Sequence, residues 1–269
     1  MASALFQGAK HAVLYSKFRP SPPSQLVRNI LDYLKKVGGS WTRAVDIGCG
    51  SGQSTIVLAP HFGEVCGLDV SDAQLECARR ERTLPNVQYK LSSCERLPFA
   101  DSSVDLVTFC QSVHWFKPDL IFGEVGRVLS PLGVVAVYGY WIPVPRTGDK
   151  EKDRLIDRLV MQSLHEEKLG RYWDKERYIV QRHYADVHLP FKNVLRQNFV
   201  HSTKSSVSEY LGYLSSWSAY QKLMAEDPTK AKNILEDFKL ELLGILGEGS
   251  TEDVDLTLFT DYFLLIGHR

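Results

Sequence analysis

Between residues 24 and 140 the apolar positions switch repeatedly between helical spacing and short continuous runs. Leu26, Ile30, Leu31 and Leu34 mark one face of a helix that follows a Pro22-Pro23-Ser24 start signal and stops at Gly38-Gly39. Residues 44–47 form an apolar strand that runs into a glycine loop, and residues 54–58 suit the next helix. A second strand over 65–69 precedes Ser71-Asp72, an N-cap for a helix reaching Arg82. Residues 87–91 alternate as a third strand, and 104–109 make a fourth. A helix over 120–129 and a Pro131-Leu132-Gly133 turn lead into a fifth strand at 134–138. Strand and helix alternating in this way predict an α/β fold: a mostly parallel sheet with helices on both faces. Crossovers in such a sheet are right-handed, and ligands sit beyond the carboxyl ends of its strands.

Beyond Trp141 the pattern changes. Residues 146–185 are charged and helical in tendency, with Leu155, Leu159, Leu164 and Leu169 set among acidic and basic residues. The run Lys150-Glu-Lys-Asp-Arg154 reads as a solvated helix face, and the segment as an insertion that folds over the site. A strand at 194–200, helices at 207–214 and 228–246, and a last strand at 256–266 complete the expected elements.

Composition narrows the class of partner. The 32 Lys+Arg and 32 Asp+Glu cancel, so the chain as a whole has no electrostatic bias toward nucleic acid or an anionic membrane. With 44% hydrophobic and 24% charged residues it has the balance of a folded globular protein. Cys49, Cys66, Cys77, Cys94 and Cys110 are odd in number and lack a C-x-x-C pair, which predicts buried reduced thiols. His183, His188 and His201 have no ligand spacing, so no metal site is expected. The first ten residues lack the apolar core of a signal peptide, and no run approaches the roughly 18 apolar residues of a membrane span. The expectation is a cytoplasmic protein, a monomer or weak homodimer, acting without membrane or nucleic acid.

Asp46-Ile-Gly48-Cys-Gly50-Ser-Gly52 is the most informative segment. It joins a strand to a helix, and its alternating glycines let the backbone pass close beneath a ligand. The dinucleotide fingerprint G-x-G-x-x-G requires glycine where Gln53 stands, and Asp46 would be a poor neighbour for a pyrophosphate. These two residues disfavour a nicotinamide-dependent oxidoreductase. Asp69 ends the next strand, placed to accept both hydroxyls of a ribose. The two motifs together predict an adenosine-containing ligand without pyrophosphate.

On these motifs the chain resembles the class I S-adenosylmethionine-dependent methyltransferases. The resemblance runs from about residue 40 to 140 and includes Gly67-Leu-Asp69, Cys94-Glu95-Arg-Leu-Pro-Phe99 and Arg127-Val-Leu-Ser-Pro-Leu-Gly133. It implies a Rossmann-like seven-stranded sheet with an antiparallel last strand and S-adenosyl-L-methionine as cofactor. The chain would then be one domain over 1–269. Its cofactor-binding half is 24–141, cap and acceptor-pocket elements fill 142–220, and a final helix and strand occupy 221–269. The resemblance further implies that Asp46, Gly48, Gly50 and Gly52 face the methionine moiety, Asp69 the ribose, and Ser93, Cys94 and Glu95 the adenine edge. Many relatives carry aspartate where Ser93 stands. Tyr15-Ser-Lys-Phe-Arg19-Pro, Gln111-Ser-Val-His114-Trp115-Phe and Gly212-Tyr-Leu-Ser-Ser-Trp217-Ser-Ala-Tyr220 are similar to the subgroup of trans-aconitate methyltransferases, which esterify carboxylates of small acids.

A carboxylate acceptor is already ionised at neutral pH and needs no general base, whereas an amine or hydroxyl usually does. His114, just after the fourth strand, reads either as that base or acceptor-holding donor, or as a packed histidine ordering its loop. Arg19 is the candidate partner for a carboxylate of acceptor or cofactor, because its fork binds both oxygens. Tyr15 is a candidate lid, and Gln111 closes the cofactor pocket. Trp115, Trp217 and Tyr220 are candidate walls for the acceptor, or else helix and loop packing. Three alternatives remain at this stage: an N- or hydroxyl O-methyltransferase using His114 as base, a nucleic-acid methyltransferase, and a non-catalytic S-adenosylmethionine-binding protein. The second lacks an Asn/Asp-Pro-Pro-aromatic motif, for which Gln111-Ser-Val-His114 stands instead.

Overall fold

The computed structural model describes residues 9–93, 96–247 and 249–269. Helix α1 (Ala9–Phe18) precedes α2 (Ser24–Val37), whose C-terminus is closed by Gly38 in the left-handed conformation at φ 78°. Then β1 (Arg43–Ile47), α3 (Gln53–Ile56), β2 (Glu64–Asp69), α4 (Asp72–Glu81), β3 (Val87–Leu91), β4 (Val104–Cys110), α5 (Pro118–Val128) and β5 (Leu129–Tyr140) alternate as the periodicity predicts. After β6 (Val144–Arg146) come α6 (Lys150–Asp157) and α7 (Arg177–Gln181), then β7 (Lys192–Ser206). Helices α8 (Val207–Ser215), α9 (Ser218–Glu226) and α10 (Pro228–Leu246) lead to β8 (Asp255–His268).

The strands form one mixed sheet in the order β3-β2-β1-β4-β5-β8, with β7 on the far edge of β8. Short β6 continues the β5 side of β8, which makes eight strands, one more than the seven expected. Strands β1 to β5 pair in parallel, and β8 runs antiparallel to β5, β6 and β7. Strand order reverses at β1, between β2 and β4, so a crevice opens beyond the carboxyl ends of β1 and β4.

The period-two rule assigns the core. In β5, Val134, Ala136, Tyr138 and Tyr140 pack on the face covered by α2 and the cap, while Val135 and Val137 pack on the α5 face. In β8, Leu264 and Ile266 take the first face and Phe263 and Leu265 the second. Side chains buried on both faces explain why these strands read as continuous apolar runs.

Three elements differ from the sequence expectation. Strand β7 spans fifteen residues, not the seven of 194–200, because its whole length pairs with β8. It is an edge strand exposed along most of its length, so no alternation marks its ends. The Pro131-Leu132-Gly133 turn lies within β5 as an irregularity, with Leu132 at φ 64° and the register shifting between Val104 and Leu106. The charged 146–185 segment is helical but interrupted. Asp149 caps α6 by accepting from the amides of Glu151 and Lys152, and the helix widens into a π-helical stretch, Arg158–Lys168, before α7. Within 142–220, the strands β6 and β7 belong to the sheet and the helices between and after them form the cap.

Phe263 tests this core. It is fully buried beside Gly139, where a Cβ would come within 2.7 Å of its ring. Phe263→Ala is expected to cost about 3–5 kcal/mol of stability, read as a lowered denaturation midpoint in urea.

Candidate active site

The loop after β1 is built on a buried carboxylate. Asp46 is fully buried and accepts three hydroxyl hydrogen bonds: Thr108 on Oδ1 at 2.7 Å, Ser54 on Oδ2 at 2.6 Å and Thr55 on Oδ2 at 2.7 Å. Burial raises its pKa and the three hydroxyls oppose that rise. Asp46 therefore lies beneath the cavity and not in its wall, tying β1 to β4 and to the start of α3. Above it, the amides of Gly48 and Cys49 both donate to the Leu68 carbonyl at the end of β2, at 2.8 and 3.0 Å. Gly48, Gly50 and Gly52 all have positive φ, at 69°, 53° and 85°. They serve different ends. A Cβ on Gly48 would meet Ser112 at 2.5 Å and one on Gly52 the Tyr89 hydroxyl at 2.5 Å, whereas at Gly50 nothing lies closer than 3.8 Å. Gly48 and Gly50 line the cavity; Gly52 packs away from it.

The cavity, about 370 Å³, lies at the switch point of the sheet and is within the range of small-molecule sites. Asp69 faces it from the end of β2. Its Oδ2 accepts from the Gly50 amide at 2.8 Å and its Oδ1 from the Ser71 amide at 2.8 Å, so each oxygen is aimed while keeping acceptor capacity for a ligand. Burial raises the Asp69 pKa, and these backbone donors hold the rise in check. Next to it, Gln74 carries a buried Oε1 with no partner. An orphan acceptor beside an aimed carboxylate fits a ligand rich in hydroxyl or ammonium donors, as S-adenosylmethionine is. Ser93 lines the cavity; Cys94 and Glu95 lie outside the described residues.

Helix α1 forms the lid. Tyr15 and Arg19 line the cavity, and the Tyr15 carbonyl accepts from Gln53 Nε2 at 3.2 Å. Arg82 latches the same helix to the glycine loop. Its Nη1 donates to Ser16 Oγ at 2.6 Å and to the Ser51 carbonyl at 3.0 Å, and its Nη2 to the Ser16 carbonyl at 2.9 Å. Gln53, which breaks the dinucleotide fingerprint, thus has a positive use: it joins loop and lid.

On the acceptor side, Arg19 stacks on Tyr15 at 4.9 Å and Tyr213 at 5.4 Å and donates to the Tyr140 hydroxyl and the Ser216 carbonyl. Burial works against its charge, but Tyr140, Tyr15 and Tyr213 keep its pKa above the usual arginine value. Gln111 lines the cavity at φ 51°, a strained left-handed residue. Its amide is engaged by the Tyr140 backbone, donating to the carbonyl at 2.9 Å and accepting from the N–H at 3.3 Å. It therefore shapes the wall. Trp115 is in the wall too, but His114 is not: its Nδ1 lies 3.3 Å from the Tyr184 hydroxyl. Burial and nearby Arg177 pull the His114 pKa down to about 3.

Two candidate acceptor walls are packing residues. Trp217 is 1% exposed, inside the cap against Trp173 and Tyr213, and Tyr220 is buried in α9. Neither lines the cavity; helical spacing placed both inward, as the packing alternative holds. Sequence reasoning missed Gln53, Gln74, Ser112 and Tyr140 as wall residues. Gln74 was findable, being three residues after the Ser71 cap on the first turn of α4, whereas Tyr140 enters only through β5 running past its expected end. Among the described residues no group of three His, Cys, Asp or Glu is placed to hold a metal ion. No helix among them is long and apolar enough to cross a membrane.

Comparison with known proteins agrees with this geometry. A methyltransferase-domain family model matches residues 45–137. A methyltransferase-family protein of Dictyostelium discoideum is 31% identical over 231 residues, covering 85% of this chain and 82% of the relative. A Saccharomyces cerevisiae protein of the S-adenosylmethionine-dependent methyltransferase class is 26% identical over 242 residues, 80% of this chain and 81% of the relative. The solved structure of a type II methyltransferase-class protein from Anaeromyxobacter dehalogenans is similar with a TM-score of 0.75 at 28% identity, covering 93% and 98% of the two chains. The chain belongs to the class I S-adenosylmethionine-dependent methyltransferases. It is a transferase whose Rossmann-like sheet carries the site at its β1–β4 switch point.

Two measurements check the site. Asp69→Ala is expected to weaken S-adenosylhomocysteine binding in calorimetry by tenfold or more (about 1.4 kcal/mol), and Arg82→Leu to weaken it by releasing the lid. Equal affinity in Asp69→Ala and wild type would remove Asp69 from the site. The second concerns pH. His165, on the π-helical stretch, is also pulled down to about 3, by burial and by Arg177. Below the ordinary 6.5 the unfolded chain protonates both imidazoles while the folded chain does not until about 3, so stability falls as pH drops through that window. Thermal melts from pH 7.5 to 5 should show the decline, and it should flatten in His114→Gln/His165→Gln.

Proposed function

We propose that this enzyme methylates a carboxylate of a small acid, with S-adenosylmethionine as methyl donor. The carrying observation is Arg19: a guanidinium in the cavity wall, with its Nε buried and unpartnered and no carboxylate in ion-pair contact among the described residues. A buried cation without a counter-ion is stabilised when an anion binds beside it, and arginine's fork suits a carboxylate.

When bound, the cofactor supplies a sulfonium methyl, which the acceptor oxygen takes while the bonding pair stays on sulfur. No proton moves in that exchange, so the protein's task is alignment and exclusion of water. Asp69 and Gln74 hold the donor-rich end, the Gly50 backbone lies close beneath, and α1 with Tyr15 closes from above. Arg19 orients the acceptor carboxylate. His114 supports the same reading: an imidazole with its pKa pulled to about 3 and its Nδ1 at Tyr184 is a weak base, whereas an amine or hydroxyl acceptor calls for one poised near neutrality.

The test is calorimetric titration with S-adenosylmethionine, S-adenosylhomocysteine and NADH, followed by a screen of small mono-, di- and tricarboxylic acids for base-labile methyl products. Micromolar binding of the first two and ester formation are expected. Arg19→Ala should raise the acceptor KM about tenfold or more and leave S-adenosylhomocysteine affinity unchanged; the reverse split would assign Arg19 to the cofactor's own carboxylate. His114→Ala should keep most of its kcat. Methyl transfer only to amines or alcohols, abolished in His114→Ala, would overturn the carboxylate reading.

A further inference from the structure

The cap holds a second arginine without a counter-ion. Arg177, at the start of α7, packs its guanidinium 3.8 Å from the ring centre of Trp173, 4.8 Å from Trp141 and 6.0 Å from Trp217. Its Nε donates to His165 Nε2 at 3.1 Å. That bond ends its hydrogen bonding to protein. Neither terminal nitrogen has a hydrogen-bond or ion-pair partner among the described residues, and neither is sealed from solvent. The imidazole is neutral and adds no negative charge, and the tryptophans offer only the faces of their rings.

Its position relates it to the site. Helix α7 packs on the Val113–Trp115 turn that supplies Trp115 to the cavity wall. Arg177 also feels Tyr140 and Tyr213, the two phenols that surround Arg19, and it feels Arg19 itself. Burial and the repulsion from Arg19 pull its pKa down to about 10. Two like charges are therefore held near one another across the acceptor side, with no acidic side chain between them. Such an arrangement is costly when empty and is relieved by an anion. The flat fork, fixed by three aromatic faces and the His165 bond, is also preorganised, so little side-chain freedom is lost on binding.

We propose that Arg177 is a second anion-binding point of the acceptor site, whose unpaired fork takes an oxyanion of the acceptor distinct from the carboxylate at Arg19. The inference rests on the acid-acceptor reading above and deepens it: the preferred acceptor carries two anionic groups. Both a carboxylate and a phosphonate or phosphate have the geometry the fork accepts.

The experiment uses the full chain preloaded with S-adenosylhomocysteine and titrates straight-chain dicarboxylates from succinate to adipate, monocarboxylates of the same lengths, and the corresponding phosphonocarboxylates. At least one dianion is expected to bind about tenfold tighter than its matched monoanion, and the dicarboxylate and phosphonocarboxylate series tell which oxyanion is preferred. In Arg177→Gln that preference should vanish while monoanion and S-adenosylhomocysteine affinities stay as in wild type. Arg177→Lys, which keeps the charge without the fork, should retain part of the preference and guards against a cap that fails to fold in the glutamine variant. Dianions binding no better than monoanions, or a preference that survives in Arg177→Gln, overturns the role of Arg177 alone. Absence of binding by every acid, monoanions included, overturns the acid reading together with it.

Discussion

A carboxylate removed from water must be satisfied by donors, and at Asp46 three hydroxyls supply them from two different elements. Thr108 anchors it to the central strand β4, and Ser54 and Thr55 anchor it to the first turn of α3. Because α3 begins at Gly52 on this support, the path of the loop between β1 and α3 is set, and with it the outward aim of Gly50. The Gly50 amide in turn aims Asp69, and the Leu68 carbonyl receives the two preceding amides. One buried charge thus organises the ends of three adjacent strands at the point where their order reverses.

Much of the cofactor half was legible in the sequence because its signals are local. Apolar runs buried on both faces, the Ser71 cap and the Gly38 stop each act within one element, and β1 to β5 follow from them. Asp69 and Gly50 also stand where strand–loop–helix reasoning places them. Asp46 was recognised as important, but its role is inverted by tertiary contacts with Thr108, a residue far along the chain whose hydroxyl gives no sequence signal. The cap was less legible. Edge strand β7 lacks alternation since most of it faces solvent, and the π-helical widening at Arg158–Lys168 breaks the 3.6-residue period that would have joined α6 to its continuation. Trp217 and Tyr220 illustrate the same gap, since helical spacing says that they are on one face and not what that face meets.

The site is electrostatically lopsided by design of its parts. Its cofactor side has the carboxylate of Asp69 and the orphan oxygen of Gln74, while its acceptor side has guanidinium groups set among tyrosines and tryptophans. Aromatic rings tolerate a cation on their faces without neutralising it, so positive potential is preserved in a region where a carboxylate partner would have cancelled it. Two histidines in this region are kept neutral by burial and by the same cations. Polarity therefore runs in one direction across the site, from negative at the sheet's β2 end to positive under the cap.

The place of β8 in the sheet has a consequence for how the molecule is made. It lies between β5 and β7, both of which precede it in the chain, and it is antiparallel to each. During synthesis the outer edge of β5 must wait, unpaired, while the whole cap is translated, and β7 waits beside a gap that only β8 fills. The parallel half can assemble first, since its contacts are nearer in sequence, whereas the acceptor side closes only when the last strand is threaded between two preformed neighbours. Until then the chain exposes open strand edges, which gives a nascent chain of this topology a defined interval of vulnerability to mispairing and a reason to be shielded during it.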